Sequence, residues 1–430
     1  MKFANNLEFL KYFKNYIQMK GKKDFLGWVI IAVALASAVG VYFVEGLMWS
    51  FLMLLLLNLA ASVVFRKHFS RSALVVSRIL IGLLFIFSGF VKVVDPMGTI
   101  FKMEEYMVAY GTEWAIPLVP AAAILMIAVE FVCGFLAVLN IKPKFTFVLI
   151  ALMMAGYTVL TFLDALNNPV SDCGCFGDAI IMSNWQTFYK NVIIDAVLLS
   201  ILLNFKQIRA DKFKILQFVV AGFIMLATLG AQVYTYFHLP IIDFLPWKVG
   251  AKTVIENRLP VTYIFTYENK ETGEKKEFSG DEVGSHLADS VWNATWNFVS
   301  RTDFDPNPKP HNLRIINNDG DDVTESYLEA EEPTFIVTAY DIETWRSGAL
   351  PQLNQLYQDA TEKGYNFVML VDEEPEKIAI FVAEYSIEFP VYTGDETELK
   401  MMNRSNPGVT LIENKTVVEK WSAGEVPRCE

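Results

Sequence analysis

The stretch ALVVSRILIGLLFIFSGFVKVV, residues 73–94, decides the fold of the first half of the chain. Arg78 and Lys92 are its only charged residues. About 20 mostly apolar residues are enough to cross the roughly 30 Å hydrocarbon core of a bilayer. This stretch therefore predicts a transmembrane helix.

Six further apolar runs of similar length predict further membrane spans. They lie at residues 25–44, 47–65, 115–139, 145–166, 188–205 and 215–237. Residues 1–24 alternate apolar and basic side chains, which predicts an amphipathic helix on an anionic membrane surface. The first half of the chain is therefore predicted to be a bundle of about seven transmembrane helices, and the lipid bilayer is its first partner.

The basic residues between the spans predict the orientation. Lysine and arginine concentrate in residues 1–24, 66–72, 140–144 and 206–214, which alternate along the chain with connections that carry more acidic residues. Basic connections stay in the cytoplasm. Seven spans then place the N-terminus in the cytoplasm and everything after residue 238 outside.

The two halves of the chain differ in charge. Residues 240–430 contain 17 Lys and Arg against 35 Asp and Glu, net −18, whereas residues 1–239 contain 19 against 13, net +6, for a total of −12. A strongly acidic soluble half is unlike the basic surface that binds nucleic acid. We therefore exclude a nucleic-acid partner.

The second half has the pattern of a soluble α/β domain preceded by an extension. Residues 239–311 predict a linker, a β-hairpin at 261–278 and a helix over 280–300. From residue 312, strands and helices alternate and the chain ends in two consecutive strands. This order predicts a mixed sheet flanked by helices.

The segment SDCGCFGD, residues 171–178, contains the only two cysteines that are close together in sequence. Cys133 and Cys429 lie far from them, which excludes a disulfide scaffold. A Cys-Gly-Cys disulfide is strained, and strain favours a labile redox pair. A static disulfide or free thiols that shape the loop remain open, since Asp172 and Asp178 are expected to raise the pKa of both thiols. No zinc-like ligand spacing occurs, so no metal site is predicted.

Several charged residues lie in or beside the predicted spans. Arg78, Lys92 and Asp95 lie at the two ends of the first quoted stretch, and Glu130 lies within the run 115–139. Charges in lipid are costly and usually face protein or a polar cavity. Glu130 is either a packing residue or a proton-transfer group, and Arg78 and Lys92 are also able to snorkel to the interface.

Two blocks resemble the DoxX/MauE family of membrane proteins over residues 73–205. Residues 78–92, RILIGLLFIFSGFVK, with Asp95-Pro96, Lys102 and Glu104-Glu105-Tyr106 behind them, are similar to the first core span and outer loop of DoxX. Residues 172–177, DCGCFG, are similar to the cysteine loop of MauE-type members. The resemblance implies a bacterial inner-membrane protein with a redox-associated role. It implies that Cys173 and Cys175 pass electrons between envelope thiols and a quinone.

The chain from about residue 312 resembles the thioredoxin superfamily. The turn NDGDDVT, residues 318–324, and the stretch NPGVTLI, residues 406–412, carry the likeness, and Pro407 is the expected cis-proline. Residues 340–346, YDIETWR, stand where the family has CxxC and contain no cysteine. The resemblance therefore implies the fold and a peptide-binding groove, without thiol exchange by this domain's own residues. The charge pattern places this domain in the periplasm. The alternative function is a non-enzymatic accessory or scaffold subunit that binds an envelope protein client or a membrane-complex partner.

Overall fold

The structure is a computed structural model that describes residues 71–170, 172–204, 208, 214–254, 262–286, 289–304 and 311–429. The predicted amphipathic segment 1–24 and the predicted spans 25–44 and 47–65 lie outside the described residues. The chain divides into two compact units, Met1–Phe244 and Leu245–Glu430.

The described part of the first unit is helical. Its helices are α1 (Arg71–Val94), α2 (Pro96–Ala109), α3 (Val119–Val138), α4 (Pro143–Asn167), α5 (Asn184–Leu203) and α6 (Lys214–Phe237), with short 3₁₀ turns at Glu113–Leu118 and Gly177–Ala179. Among the described residues, five candidate membrane spans are long and apolar enough to cross a bilayer: Leu74–Val94, Glu113–Val138, Pro143–Asn167, Asn184–Leu203 and Ile215–Phe237. They confirm the five predicted spans that fall within this part of the chain.

Local sequence explains where several of these helices begin. Proline opens α2, α3 and α4, where its missing N–H costs no hydrogen bond. Asp95 caps α2 by accepting from the Gly98 N–H. Ser183 and Gln186 form a capping box at the start of α5.

Helices α1 and α3 pack closely because glycines lie at their contact. A Cβ atom added to Gly82 would lie 2.7 Å from a Val138 methyl group, and one added to Gly134 would lie 2.6 Å from the Ile86 backbone nitrogen. The close approach brings the opposing faces of the two helices within side-chain reach. This contact positions the charged residues described below.

A three-stranded antiparallel sheet forms the first part of the second unit. Its strands β1 (Thr262–Asn269), β2 (Lys275–Ser279) and β3 (Trp296–Phe304) take the order β2-β1-β3. Two short helices, α7 (Gly280–His286) and α8 (Ser290–Thr295), connect β2 to β3. The continuous helix predicted over 280–300 is therefore wrong, because the run from Trp296 pairs with β1 and becomes a strand.

A five-stranded mixed sheet forms the rest of this unit. Its strands are β4 (Thr334–Ala339), β5 (Asn366–Val371), β6 (Val391–Thr393), β7 (Gly408–Glu413) and β8 (Thr416–Ser422), in the order β6-β5-β4-β7-β8. β4, β5 and β6 are parallel, whereas β7 runs antiparallel to β4 and β8 antiparallel to β7. The predicted mixed sheet is confirmed.

Helices cover both faces of the five-stranded sheet. α10 (Leu350–Glu362) and α11 (Pro375–Tyr385) pack on one face, and α9 (Thr324–Leu328) and α12 (Glu396–Met402) on the other. Successive residues of β4 point to opposite faces, so Phe335 joins the first core and Ile336 the second. β4 is consequently buried along its whole length.

The Asn406–Pro407 peptide bond is cis and lies next to residues 341–346. The Arg346 N–H donates to the Asn406 carbonyl oxygen over 3.0 Å, and the Asn406 side-chain amide donates to the Asp341 carbonyl oxygen over 2.6 Å. The loop that contains Pro407 therefore contacts the segment that follows β4.

Candidate functional site

The cysteine loop connects α4 to α5 and bends back on itself. Gly174 has a φ of +61° and Gly177 a φ of +51°, a region where a side chain would be strained. The Asp172 carboxylate accepts from the Gly174 N–H over 2.9 Å, and the Gly177 N–H donates to the Gly174 carbonyl oxygen over 3.0 Å. Both cysteines line the same cavity.

Helix α2 contacts this loop through the side chain of Lys102. Lys102 Nζ lies 2.8 Å from the Glu105 carboxylate and 3.5 Å from the Asp172 carboxylate. A Cβ atom on Gly174 would meet the Lys102 side chain at 3.3 Å. The Asp172 carboxylate is thus paired with the Lys102 ammonium group.

A buried ion pair lies beneath the loop. Lys92 of α1 and Glu130 of α3 are 6% and 3% exposed, and Lys92 Nζ approaches the two Glu130 oxygens at 2.9 and 3.2 Å. Ser88 Oγ lies 2.5 Å from Glu130 and 2.7 Å from the Cys175 carbonyl oxygen. The Tyr157 hydroxyl also donates to Glu130 over 3.5 Å. Glu130 therefore accepts hydrogen bonds from Lys92, Ser88 and Tyr157. Ser88 connects this network to the backbone of the cysteine loop.

A second buried lysine lies beside the cysteines. Lys190, near the start of α5, is 4% exposed, and its Nζ lies 4.5 Å from the centroid of the buried Phe176 ring. Among the described residues, no carboxylate forms a salt bridge with Lys190. Its positive charge acts on both Cys173 and Cys175.

The two thiols differ in their protonation. Both are free thiols of intermediate exposure. The hydrogen bond that Cys173 donates, together with the positive charges of Lys190 and Lys92, lowers the pKa of Cys175 to about 6, although burial and Glu130 oppose this change. The same hydrogen bond and burial raise the pKa of Cys173 above its usual range. Cys175 is therefore the thiolate of the pair.

This result corrects the expectation drawn from Asp172 and Asp178. Those two acids were expected to raise the pKa of both thiols, and for Cys175 that direction is wrong. Asp172 is paired with Lys102, while lysines from α1 and α5 supply the local charge at Cys175. A sequence window around the cysteines contains neither of these lysines.

A third polar group lies on the α2 side of the loop. The Tyr106 hydroxyl donates to the fully buried Asp164 carboxylate over 2.6 Å, and the Tyr110 hydroxyl lies 3.5 Å from its other oxygen. Burial and the neighbouring Asp164 raise the pKa of Tyr106 well above its usual range. Tyr106 is accordingly a neutral hydroxyl that faces the cysteines.

These groups surround one cavity of about 260 Å³. Its polar lining includes Cys173, Cys175, Lys92, Glu130, Tyr157 and Lys190. Its apolar lining includes Leu84, Phe85, Met103, Met107, Met126 and Met154. The cavity combines two thiols with an apolar interior, which suits exchange between a thiol and an apolar molecule.

The predicted site residues separate into two groups. Cys173, Cys175, Lys92 and Glu130 come together around the cavity. Arg78 instead donates to the carbonyl oxygens of Ala137 and Val138, the last residues of α3. Asp95 caps α2, and Pro407 belongs to the second unit. Among the described residues, no group of three His, Cys, Asp or Glu side chains is arranged to hold a metal ion.

Sequence reasoning missed Lys190, Tyr157 and Ser88. A usable signal for Lys190 was its spacing, because it continues the stripe of α5 residues Ile194, Val197 and Ile201, all of which are buried. A lysine on the apolar stripe of a span faces protein rather than lipid.

Comparison with known proteins places the site within a family domain. Residues 70–205 match the family model described as Methylamine utilisation protein MauE. No curated protein matches the chain. The matched residues include the cysteine loop, both buried lysines and Glu130. A MauE family domain therefore occupies residues 70–205, and it contains the candidate site.

Proposed function

We propose that Cys173 and Cys175 are a redox pair that passes electrons from envelope thiols to a quinone in the membrane. The observation that supports this most is the position of Cys175, a low-pKa thiol beside Lys190 and above the Lys92–Glu130 pair. Reactive cysteines require such an electropositive setting. MauE membership of residues 70–205 agrees with a redox-related accessory role in a membrane.

The first half-reaction oxidises a client protein. A client thiolate attacks the Cys173–Cys175 disulfide, forms a mixed disulfide with Cys173, and releases Cys175 as a thiolate. A second client thiolate then attacks the client sulfur of the mixed disulfide and releases Cys173, which takes up a proton. The client loses two electrons, and the cysteine pair gains them.

The second half-reaction restores the disulfide. In this proposal the quinone is a substrate that enters from the membrane. The cavity is large enough for its ring. A dry cavity of about 150 Å³ already holds a benzene molecule, and this one measures about 260 Å³. A quinone would accept the two electrons released when the dithiol closes to a disulfide, together with two protons, and would leave as a quinol. Lys190 lines the cavity as a hydrogen-bond donor, and apolar side chains exclude water around the ring.

The C-terminal unit is a thioredoxin-like domain in this proposal. Its strand order and the contact between the Pro407 loop and residues 341–346 support that fold. Because residues 340–346 contain no cysteine, the unit binds a protein and leaves thiol chemistry to the membrane unit. We place both the cysteine loop and this unit on the periplasmic side of a bacterial inner membrane, on the basis of the basic residues between the spans.

The test uses cells that depend on a plasmid copy of the gene. We expect the variant with Cys173→Ser and Cys175→Ser to leave envelope thiols reduced, as judged by alkylation of total periplasmic protein. Cys429→Ser is the matched control and should restore the wild-type thiol state. Full restoration by the double serine variant would contradict the proposal.

A second candidate function is an accessory subunit that binds partners without redox chemistry. The cysteine-free segment 340–346 and the acidic composition of the second unit favour it, since a charged surface steers oppositely charged partners. In the same cells, this function predicts that the double serine variant restores the wild-type thiol state. A chain that lacks residues 245–430 should fail to restore it.

A further inference from the structure

Lys190 stands out because it is a buried charge with an unusual partner. Buried charges require pairing, and the other buried lysine of the site, Lys92, is paired with Glu130 at 2.9 Å. Lys190 lies over the Phe176 ring and forms no salt bridge with a described carboxylate. An aromatic ring attracts a cation but does not neutralise its charge.

Several charged side chains surround Cys175, and Lys190 is the lysine among them that has no described carboxylate partner. The titratable side chains around this thiol are Lys92, Lys102, Tyr106, Glu130, Tyr157, Asp172, Cys173 and Lys190. Lys92 pairs with Glu130, and Lys102 pairs with Asp172 and Glu105. A thiolate at Cys175 therefore supplies an anion that faces Lys190, whereas a disulfide removes it.

We propose that Lys190 is the counter-ion of the Cys175 thiolate and that its charge favours the dithiol form of the pair over the disulfide. Lys190 is thus a positioning residue that sets how oxidising the pair is. A pair whose reduced form is stabilised is a stronger oxidant of client thiols. The inference rests on the proposed function for its purpose, and its tests are independent of any client.

The first test measures the thiolate directly. Full-length protein in detergent is reduced and treated with iodoacetamide at pH 4–9, and peptide mass spectrometry follows alkylation of Cys175. We expect a wild-type midpoint near pH 6, from the pKa of about 6. Lys190→Gln and Lys190→Met should raise the midpoint by about one pH unit or more. Lys190→Arg should restore it towards the wild type.

The second test measures the redox balance. The same proteins are equilibrated with glutathione and glutathione disulfide, and the fraction of the Cys173–Cys175 disulfide is determined. Two glutathione thiols reduce one protein disulfide and leave one glutathione disulfide. We expect Lys190→Gln to shift the equilibrium about tenfold towards the protein disulfide, about 30 mV in reduction potential.

Lys142→Gln is the matched control. Lys142 also lies beside a phenylalanine, 5.2 Å from the Phe218 ring centroid, and it does not line the cavity of the cysteines. It should leave the midpoint and the equilibrium unchanged. Lys190→Met replaces the charge by an apolar side chain of similar length, so size-exclusion chromatography should show a folded protein.

The outcomes separate the two proposals. Folded Lys190→Gln and Lys190→Met proteins with wild-type midpoint and equilibrium would overturn the role of Lys190. The same result would leave the redox function intact if the double serine variant still fails in cells. A shifted midpoint in a protein whose cysteines prove dispensable in cells would support Lys190 and refute the function.

Discussion

At the scale of single residues, the Lys92–Glu130 pair is the structural base of the site. Both side chains are buried within predicted spans, and Glu130 also accepts hydrogen bonds from Ser88 and Tyr157. Charged groups in such a position persist when they are paired and hydrogen-bonded. The pair keeps α1 and α3 in register directly under Cys175.

Glu130→Gln should destabilise the membrane unit strongly. The change leaves the Lys92 charge buried without its partner, which costs about 3–5 kcal/mol in the free energy of unfolding. Unfolding of the detergent-solubilised chain in dodecyl sulfate measures this loss. The variant with Lys92→Met and Glu130→Met should lose less, because no charge is left unpaired. Glu373→Gln, which breaks the exposed Lys377–Glu373 pair, is the control. A loss no greater than in that control would contradict the assigned role.

The sequence alone identified four of the residues that line the candidate site. Cys173, Cys175, Lys92 and Glu130 were recognisable because thiols and charges are rare in apolar runs. Their assembly was not, since α1, α3 and α5 meet only in the folded bundle. The lowering of the Cys175 pKa comes first from the Cys173 hydrogen bond and then from the charges of Lys190 and Lys92. Lys190 is 15 residues away from Cys175 in sequence.

At the scale of elements, the glycines of α1 and α3 determine the site geometry. Gly134→Ala would place its Cβ atom 2.6 Å from the Ile86 nitrogen, so the helices must move apart. Overpacking of this kind costs about 1–3 kcal/mol. The dodecyl sulfate assay should register that loss, and alkylation should report a changed Cys175 midpoint. Gly156→Ala, on α4 with no atom within 4 Å, is the control and should behave as wild type. Equal stability of the two variants would contradict the close α1–α3 contact.

In the second unit, His311 fixes residues 245–254 to the five-stranded sheet. Its ring stacks on Trp247 at 4.3 Å, one nitrogen lies 2.8 Å from the Thr253 carbonyl oxygen, and the other accepts from the Leu313 N–H over 3.2 Å. Burial lowers the pKa of His311, although Thr253 and Glu398 oppose the change. The folded unit therefore prefers a neutral ring.

The stability of this unit should depend on pH in a defined direction. Because the pKa of His311 is lower in the folded state than in the unfolded state, where it is about 6.5, the ring's contribution is complete above that pH. It is lost as the pH falls through the folded-state pKa. Thermal unfolding of the full chain between pH 8 and pH 4.5 measures the effect. His311→Phe should flatten this dependence. His286→Phe, at a ring stacked on Trp292, is the control. Identical pH profiles for His311→Phe and the wild type would contradict the account.

Element boundaries show where sequence reasoning reaches its limit. Long apolar runs predicted five spans to within a few residues, because crossing a bilayer requires a minimum length. The helix predicted over residues 280–300 extends into strand β3, since Trp292, Trp296 and Val299 have helical spacing. Pairing with β1 along the whole strand determined the outcome, and such long-range pairing leaves little trace in a local window.

At the scale of the whole molecule, the charge distribution predicts the sidedness of both units. The basic connections belong to the cytoplasm in this proposal, and the cysteine loop and residues 245–430 belong to the periplasm.

Labelling of intact cells with a membrane-impermeant maleimide tests that arrangement. After mild reduction, we expect Cys173 or Cys175 to react. A cysteine introduced by Lys144→Cys, exposed in the first turn of α4, should react only after the cells are opened. Labelling of Lys144→Cys in intact cells, with the native pair protected, would invert the topology.

A redox titration of the native pair measures whether Cys173 and Cys175 undergo reversible thiol–disulfide exchange. Full-length protein is equilibrated across glutathione buffers of increasing oxidising strength, trapped with acid, and alkylated. Mass spectrometry then counts the free thiols at positions 173 and 175. The redox-pair account predicts one reversible two-electron transition in which both thiols disappear together and return on reduction. Two thiols that stay alkylatable in every buffer, or a disulfide that no buffer reduces, would contradict it.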